Sequence, residues 1–307
     1  MKRIVFSFLA LLLCIGSGAD EKHPRPRILG ISRVQFYSTN IAAARGFYAQ
    51  VLRPEGTCLW CEQIPRPPLN LLLSLRQMLI LSTPPNAPPP NLLYEIDFAV
   101  DDVKAMKSYL ADSNIAIKEI QSPTKGTKDL GDTYVAVIDP EGHRIGFVQP
   151  APTAAKEIPG LESVRLIHAG FVVQDRAVED KFYKDILGFH VYWHGGRTDD
   201  ETSWVDMQVP DGTDWIEYML NVSPTASHKT LGVMNHIALG VPDIHAAQQQ
   251  LIKNGWKGAE EPKIGRDGKW QLNLYDPDET RVELMEFKPT KEQCCSPYTG
   301  PHPGPQQ

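Results

Sequence analysis

Residues 234–241 read MNHIALGV, and this stretch decides how the second half of the chain folds. Its large apolar residues alternate with a histidine, an alanine and a glycine, which is the period of a strand with one face against a core. His236 shares its face with two small residues, so that face has room for a ligand, while the apolar face meets a covering helix. The stretch predicts a buried strand with one imidazole on the non-helix side of a curved sheet.

Three other strand-like runs of the second half each carry one polar residue on the corresponding face. They are VRLIHAGFVVQD (164–175) with His168, DWIEYML (214–220) with Glu217, and TRVELMEF (280–287) with Glu283. Glu217 follows His168 by 49 residues, and Glu283 follows His236 by 47. The four polar groups therefore occupy matching points of a repeated unit.

Two imidazoles and two carboxylates on one sheet face suit a single divalent cation such as Ni, Zn, Fe or Mn. Burying both carboxylates without a partner would cost several kcal/mol, and a cation compensates them. Any one of these residues alone is better explained as a hydrogen-bonded core residue. Four of them at matching positions favour metal binding, and we predict that His168, Glu217, His236 and Glu283 bind one divalent metal ion.

The chain also repeats across its halves. NIAAARGFYAQVL (40–52) reappears as DRAVEDKFYKDIL (175–187), and DPEG (139–142) reappears as DPDE (276–279). A strand, a helix and short strands recur twice in each half, with helices expected at 176–187 and 244–254. This order predicts an α+β fold of two tandem domains, each a pair of βαβββ units in a curved, mostly antiparallel sheet.

The predicted boundaries follow the composition of the chain. A domain at 28–148 is joined by a linker at 149–159 (QPAPTAAKEIP) to a second domain at 160–287. The last segment, 288–307, is rich in Pro, Gly and Gln without an apolar period, so we expect it to be flexible.

The first half does not repeat the polar quartet. Arg33 and Glu95 stand where the two histidines are, and Gly146 stands where the last glutamate is. The strand-like run 78–82 (MLILS) offers only apolar residues and Ser82 near the place of Glu217. One carboxylate beside an arginine is not a metal shell. We therefore predict a degenerate first domain, with an Arg33–Glu95 salt bridge and a structural or covering role.

Composition limits the partners and the compartment. The 307 residues carry a net charge of −6 and no strongly basic stretch, which argues against nucleic acid and an anionic membrane and favours a small-molecule substrate. Residues 1–19 combine Lys2 and Arg3, an apolar run and the small residues Ser17-Gly18-Ala19, as a cleaved signal peptide does. We expect a periplasmic or secreted protein with no membrane segment after cleavage.

Four cysteines remain once the predicted leader is removed: Cys58, Cys61, Cys294 and Cys295. An exported protein can pair them in disulfides, and the sequence leaves three pairings open. Cys58 and Cys61 have the spacing of a redox pair, but no strand–helix signal of the thioredoxin type precedes them. A local staple, or two loop thiols paired with the tail, is favoured.

The motifs of the second half resemble those of a known family. NHIALGV followed by DPDETRVELMEF, and IHAGFVVQD followed by FYKDILGF, are similar to sequences of the vicinal oxygen chelate superfamily. That superfamily includes glyoxalase I, methylmalonyl-CoA epimerase, extradiol dioxygenases and bleomycin-resistance proteins. The resemblance covers most of both halves and implies two tandem domains of its fold. Bacterial glyoxalase I matches the His–Glu–His–Glu order best, which implies an octahedral metal site completed by water.

Three functions follow from this resemblance. The first is a glyoxalase-like lyase or isomerase, in which the metal binds vicinal oxygens of a small molecule and stabilises an enediolate-type intermediate, with Glu217 or Glu283 as the base. The second is an Fe(II) extradiol-type ring-cleaving dioxygenase with His168, His236 and Glu283 as its facial triad. The third is a small-molecule binding protein without catalysis.

The sequence places the lyase or isomerase ahead of the dioxygenase. Glu217 fills a position that ring-cleaving dioxygenases leave without a carboxylate. Those enzymes also have a histidine and a tyrosine where this chain has Ile264 and Asn273. Five further residues are candidates for contact with a substrate: His190, His194, Arg197, Lys269 and Trp270.

Overall fold

The structure is a computed structural model that describes residues 23–52, 68–74, 76–118, 134–150 and 165–305. The predicted leader, Cys58, Cys61 and most of the predicted linker lie outside the described residues, so the expectations made for them stay predictions.

Each half of the described chain contains strands with short helices between them. In the first half the strands are β1 (Ile28–Tyr37), β2 (Leu69–Ser74), β3 (Gln77–Ser82), β4 (Leu93–Val100), β5 (Ile117–Lys118), β6 (Tyr134–Ile138) and β7 (Arg144–Val148), and the helices are α1 (Ile41–Arg45) and α2 (Val103–Asp112). In the second half the strands are β8 (Arg165–Val172), β9 (His190–Gly195), β10 (Trp204–Gln208), β11 (Trp215–Met219), β12 (His236–Val241), β13 (Lys263–Ile264), β14 (Trp270–Tyr275) and β15 (Arg281–Glu286). The helices there are α3 (Arg176–Asp180), α4 (His228–Met234) and α5 (Ile244–Lys253).

The strands form two mixed sheets, one in each half. Their orders are β2-β3-β1-β4-β7-β6-β5 and β13-β14-β15-β12-β8-β11-β10-β9. In each sheet the central pair is antiparallel, β1 with β4 and β8 with β12, and each central strand has a parallel neighbour on its other side. The α+β class and the mostly antiparallel tandem sheets are thereby confirmed.

Helix caps explain where the covering helices begin. The Asp175 and Asp243 side chains accept hydrogen bonds from backbone N–H groups in the first turns of α3 and α5. Gly188 has φ +80, a left-handed conformation that favours glycine after a helix. The predicted helix at 176–187 changes from α to π geometry at Lys181–Ile186, as the first-half copy does at Gly46–Val51. Helix α4, which leads into β12, has no counterpart among the predicted elements.

The two halves contact each other through a pair of matching hydrogen bonds. The Tyr183 hydroxyl donates to Asp139 Oδ2 at 3.0 Å, and the Tyr48 hydroxyl donates to Asp276 Oδ2 at 2.9 Å. Each bond joins the helical segment of one half to the Asp-Pro turn of the other, so the internal repeat also organises the interface. Buried apolar residues of both halves form one continuous core on the helix side of the sheets.

The segment after β15 differs from its prediction. Instead of extending freely, residues 288–305 pack against the second sheet. The Tyr298 hydroxyl donates to the Asp267 carbonyl oxygen at 2.8 Å, and the Thr299 N–H donates to the Tyr192 carbonyl oxygen at 3.0 Å. The Tyr298 ring also lies 4.7 Å from the Tyr192 ring. A few aromatic anchors and backbone hydrogen bonds hold a segment that has no apolar period.

Two features of the chain bear on its chemistry. Cys294 and Cys295, neighbours in sequence, form a disulfide with each other. Among the described residues, the helices are too short or too polar to cross a lipid bilayer.

Candidate metal centre

The structure brings the four predicted polar residues together on the non-helix face of the second sheet. His168 Nε2 lies 3.1 Å from His236 Nε2 and 3.8 Å from Glu217 Oε2. Glu217 Oε2 is 3.1 Å from His236 Nε2, and Glu283 Oε2 is 3.7 Å from His168 Nε2 and 4.0 Å from His236 Nε2. Donors bound about 2.1 Å from one ion lie about 3 Å or more apart, so the two histidines fit a single divalent cation together with Glu217 or together with Glu283.

Strand register explains the convergence. The pairings place His168 opposite Ala238, and Ala238 opposite Glu283, so the two ligands flank a small residue on the same face. His236 lies opposite Gly170. A Cβ atom on Gly170 would lie 2.9 Å from His236 Nε2 and closer still to Cε1 and Nδ1 of the same ring. Gly170 therefore makes the space in which the His236 imidazole lies across β8.

Hydrogen bonding orients the His236 ring. Its Nδ1 lies 3.0 Å from the Met234 carbonyl oxygen, which can only accept, so Nδ1 carries the proton. The lone pair is therefore on Nε2, the atom that faces the other three groups, as metal ligation requires. His168 Nδ1 is buried and has no hydrogen-bond partner in the described structure.

Burial sets the protonation of the cluster. It lowers the pKa of both imidazoles well below the usual value, with a smaller contribution from Arg281, so both are neutral at neutral pH. Burial raises the pKa of Glu217 to about 7 and that of Glu283 to about 7. Neutral imidazoles beside carboxyl groups that lose their protons near neutral pH are the protonation states in which a divalent metal is bound.

Arg281 is a member of the cluster that the sequence reasoning missed. Its Nη2 lies 2.5 Å from His236 Nε2 and 3.8 Å from Glu217 Oε2. Arg281 stands two residues before Glu283 on β15, so strand alternation places both side chains on the same face. That alternation was a sufficient signal for finding it.

A pocket of about 250 Å³ opens over His168, Glu217 and Glu283, while His236 lies buried beneath its lining. Trp193, Trp204 and Trp215 provide flat apolar walls, and Arg266 and Lys263 provide positive charge at the β13–β14 turn. Asp206 and Asp267 line it as well, so the pocket accepts a small, flat molecule with polar groups. Ile264 and Asn273 also line it, at the positions singled out in the sequence.

Lys269 lies behind the pocket wall. Its Nζ is fully buried, 4.4 Å from the centre of the Trp215 ring and 5.2 Å from that of Tyr298, without a hydrogen-bond partner among the described residues. The centre of the Trp215 ring also lies 4.9 Å from that of the His168 imidazole. Cation–π contacts therefore support the wall that packs against His168. The four other residues suggested for substrate contact, His190, His194, Arg197 and Trp270, do not line the pocket.

The first half carries ion pairs at the corresponding place, but with partners other than those predicted. Arg33 Nε lies 2.6 Å from Asp97 Oδ2, and Glu95 pairs with Arg144 at 3.1 Å. The predicted Arg33–Glu95 pair is therefore wrong. The register explains why: Arg33 lies opposite Asp97, and Glu95 lies opposite Arg144. Gly146 leaves the space that the Asp97 carboxylate fills.

The comparisons with known proteins come from sequence and from structure. The sequence model of the Glyoxalase/Bleomycin resistance protein/Dioxygenase superfamily matches residues 165–284. No curated protein matches the chain.

Solved structures with similar folds include ring-cleaving dioxygenases. An extradiol ring-cleaving dioxygenase from B. fuscum has a TM-score of 0.64 and 20% identity, over 89% of this chain and 74% of that one. Homoprotocatechuate 2,3-dioxygenase from Arthrobacter globiformis has a TM-score of 0.61 and 21% identity, over 86% and 81%. The enzyme from Brevibacterium fuscum in complex with 3,4-dihydroxyphenylacetate has a TM-score of 0.60 and 20% identity, over 86% and 82%.

At these identities the structural matches show that both halves have the fold, and the sequence match places the family within the second half. The second domain of this chain, which carries the four candidate ligand residues, belongs to the glyoxalase/bleomycin resistance protein/dioxygenase superfamily.

Proposed function

We propose that this protein is a metal-dependent enzyme that opens a catechol-type ring with O2, using one Fe(II) ion held by His168, His236 and Glu283. The main observation behind this proposal is that the three donor atoms lie close together. His168 Nε2 is 3.1 Å from His236 Nε2, and Glu283 Oε2 is 3.7 Å from the first and 4.0 Å from the second. Two imidazoles and one carboxylate form the facial set of non-haem Fe(II) oxygenases and leave three positions for other ligands. The fold shared with ring-cleaving dioxygenases over most of both domains supports this assignment.

The pocket suits the substrate of that reaction. An aromatic ring can lie between the tryptophan side chains, with its two adjacent oxygens toward the histidines. Iron would supply a binding site for those oxygens and for O2, and the chain's own residues would orient the ring and move its protons. Lys263 and Arg266 add positive charge at the pocket wall.

Glu217 has a separate role in this proposal. Its side chain is 14% exposed, whereas those of His168, His236 and Glu283 are 1%, 0% and 4% exposed. Burial raises its pKa to about 7, so its carboxylate can accept a proton from a catechol hydroxyl at neutral pH. We assign Glu217 as the general base beside the metal.

One observation favours a second function, the glyoxalase-like lyase or isomerase. Glu217 Oε2 lies 3.1 Å from His236 Nε2, close enough for a fourth metal ligand. A metal with four protein ligands has two positions left in an octahedron, which suffices for the vicinal oxygens of a substrate but leaves none for O2. The two functions therefore differ in what Glu217 does.

The experiment compares wild type with Glu217→Gln, each loaded anaerobically with Fe(II). For the dioxygenase we expect catechol-dependent O2 uptake, one O2 for each ring opened, by the wild type. The variant keeps its iron and loses at least about 100-fold in turnover, within the range for a general base. Loss of metal from the variant, with isomerase or lyase activity of a nickel- or zinc-loaded wild type, would favour the second function. If the wild-type protein retained no stoichiometric metal, both enzyme functions would be contradicted, and the non-catalytic small-molecule binding protein would be the alternative left.

A further inference from the structure

The contact between Arg281 and His236 carries an inference about how the metal enters. Nδ1 of His236 donates to the Met234 carbonyl oxygen, so Nε2 has its lone pair free to accept. Arg281 Nη2, 2.5 Å away, donates to that lone pair. One lone pair binds either an N–H group or a metal ion, so Arg281 and a metal exclude each other at His236.

The guanidinium also lies where the metal's charge would lie. It is 3.8 Å from Glu217 Oε2, and it shares one face of β15 with Glu283, two residues further along the strand. The positive charge of Arg281 therefore stabilises the buried carboxylates as a metal cation would. The same charge repels a divalent cation and so weakens its binding to the cluster.

The first half contains an arginine at the corresponding position, and its contact is with a carboxylate instead of an imidazole. Arg144 stands two residues before Gly146, as Arg281 stands two residues before Glu283. Arg144 contacts Glu95, the residue in the place of His236, at 3.1 Å. Arg144 forms an ion pair with Glu95, whereas the neutral His236 holds Arg281 only by a hydrogen bond. The difference makes the arginine of the second half displaceable.

We propose that Arg281 is a gating residue for the metal: it occupies the coordinating atom of His236 and must turn away before a divalent cation binds all of its ligands. This inference rests on the metal site used in the proposed function. Arg281 also lies 3.8 Å from Glu217 Oε2 and lines the pocket, so an anionic partner and open space lie next to the guanidinium.

The test is the affinity and association rate of Co(II) for apoprotein, measured by chelator competition and by the absorption of the bound ion. Arg281→Met removes the donor and the charge and retains apolar bulk. Because the bond it removes is charge-assisted, we expect Co(II) to bind about 10- to 100-fold more tightly and faster than to wild type. Arg281→Lys, which keeps a displaceable cation, remains nearer to wild type.

Two controls separate the contact from general charge. Lys263→Met removes a positive charge from the same pocket wall without a contact to His236, and Arg144→Met removes the matching arginine of the first half. Neither should change Co(II) affinity more than about threefold, since exposed or distant charges interact weakly. If Arg281→Met does not fold, Arg281→Gln replaces it. Because this variant also lacks the positive charge, we again expect it to bind Co(II) more tightly and faster than wild type.

Unchanged or weaker Co(II) binding by the folded Arg281 variant would overturn the gating role while the proposed function stood. An equal gain in Lys263→Met would also overturn it, because the effect would then come from pocket charge alone. If neither wild type nor the variants bind Co(II), the metal site fails, and the proposed function and the gating role fail with it.

Discussion

Gly170→Ala should abolish metal binding although it substitutes none of the predicted ligand residues. The new Cβ would lie 2.9 Å from His236 Nε2 and closer to Cε1 and Nδ1, where ordinary van der Waals contacts lie at 3.4–4 Å. The imidazole must therefore retreat by well over half an ångström. Ligand positions in a metal site tolerate about 0.2 Å, so the variant should lose His236 as a ligand.

The expected effects are in metal affinity and in stability. A change in the groups that merely orient a ligand costs about 10- to 100-fold in affinity, so displacing the ligand itself should cost at least about 100-fold. Extra atoms in a packed site destabilise by about 1–3 kcal/mol, and the His236 ring is fully buried. Chelator competition gives the affinity, and thermal unfolding followed by circular dichroism gives the stability.

Gly146→Ala is the matched control. Its Cβ would lie 2.7 Å from the Tyr134 ring and close to the Asp97 carboxylate, at the corresponding site of the first half. Both variants should unfold at lower temperature, and only Gly170→Ala should lose metal. A folded Gly170→Ala protein with wild-type metal affinity would refute the role of this glycine and the placement of His236.

Three further predictions concern stability. Deleting residues 288–307 should destabilise the protein by roughly 2–4 kcal/mol through lost hydrogen bonds and aromatic packing, seen in urea unfolding; an unchanged midpoint would mean that the tail is free. Arg144→Met should cost about 1–3 kcal/mol by removing the charged partner of buried Glu95, which keeps its hydrogen bonds from Gln35 and Tyr134, measured in the same assay, with metal content unchanged. Burial, and then the charge of Asp139, raises the pKa of Glu179 to about 8 from 4.5, so the folded protein holds this proton more tightly than the unfolded chain and the free energy of unfolding falls as pH rises between those values. The melting temperature of Glu179→Gln relative to wild type should therefore rise across this window, and a constant difference would contradict the shift.

The alternation of side chains along each strand was the sequence pattern that best predicted the candidate site. It placed four polar residues on the non-helix face, and the structure has them there, with an oxygen of each glutamate 3.1–4.0 Å from the Nε2 atoms of both histidines. The same rule applied to Arg281 would have added the arginine, but a charged residue at the start of a strand is usually solvated and was passed over.

Pairing between strands is what the single sequence could not provide. Arg33 and Glu95 look like partners because each is an isolated charge, yet the register sets Asp97 beside Arg33 and Arg144 beside Glu95. The sequence predicts a flexible tail because its anchors, Tyr298 and Thr299, follow no apolar period. Contacts of this kind depend on the surface already formed by other strands.

The most direct test of the central claim is a crystal structure of the metal-loaded protein, with data collected at the absorption edge of the bound metal. The account predicts one strong anomalous peak in each chain, about 2.0–2.3 Å from Nε2 of His168, Nε2 of His236 and a carboxylate oxygen of Glu283. A peak bound elsewhere, or His236 still bonded to Arg281 in a chain loaded with stoichiometric metal, would contradict it.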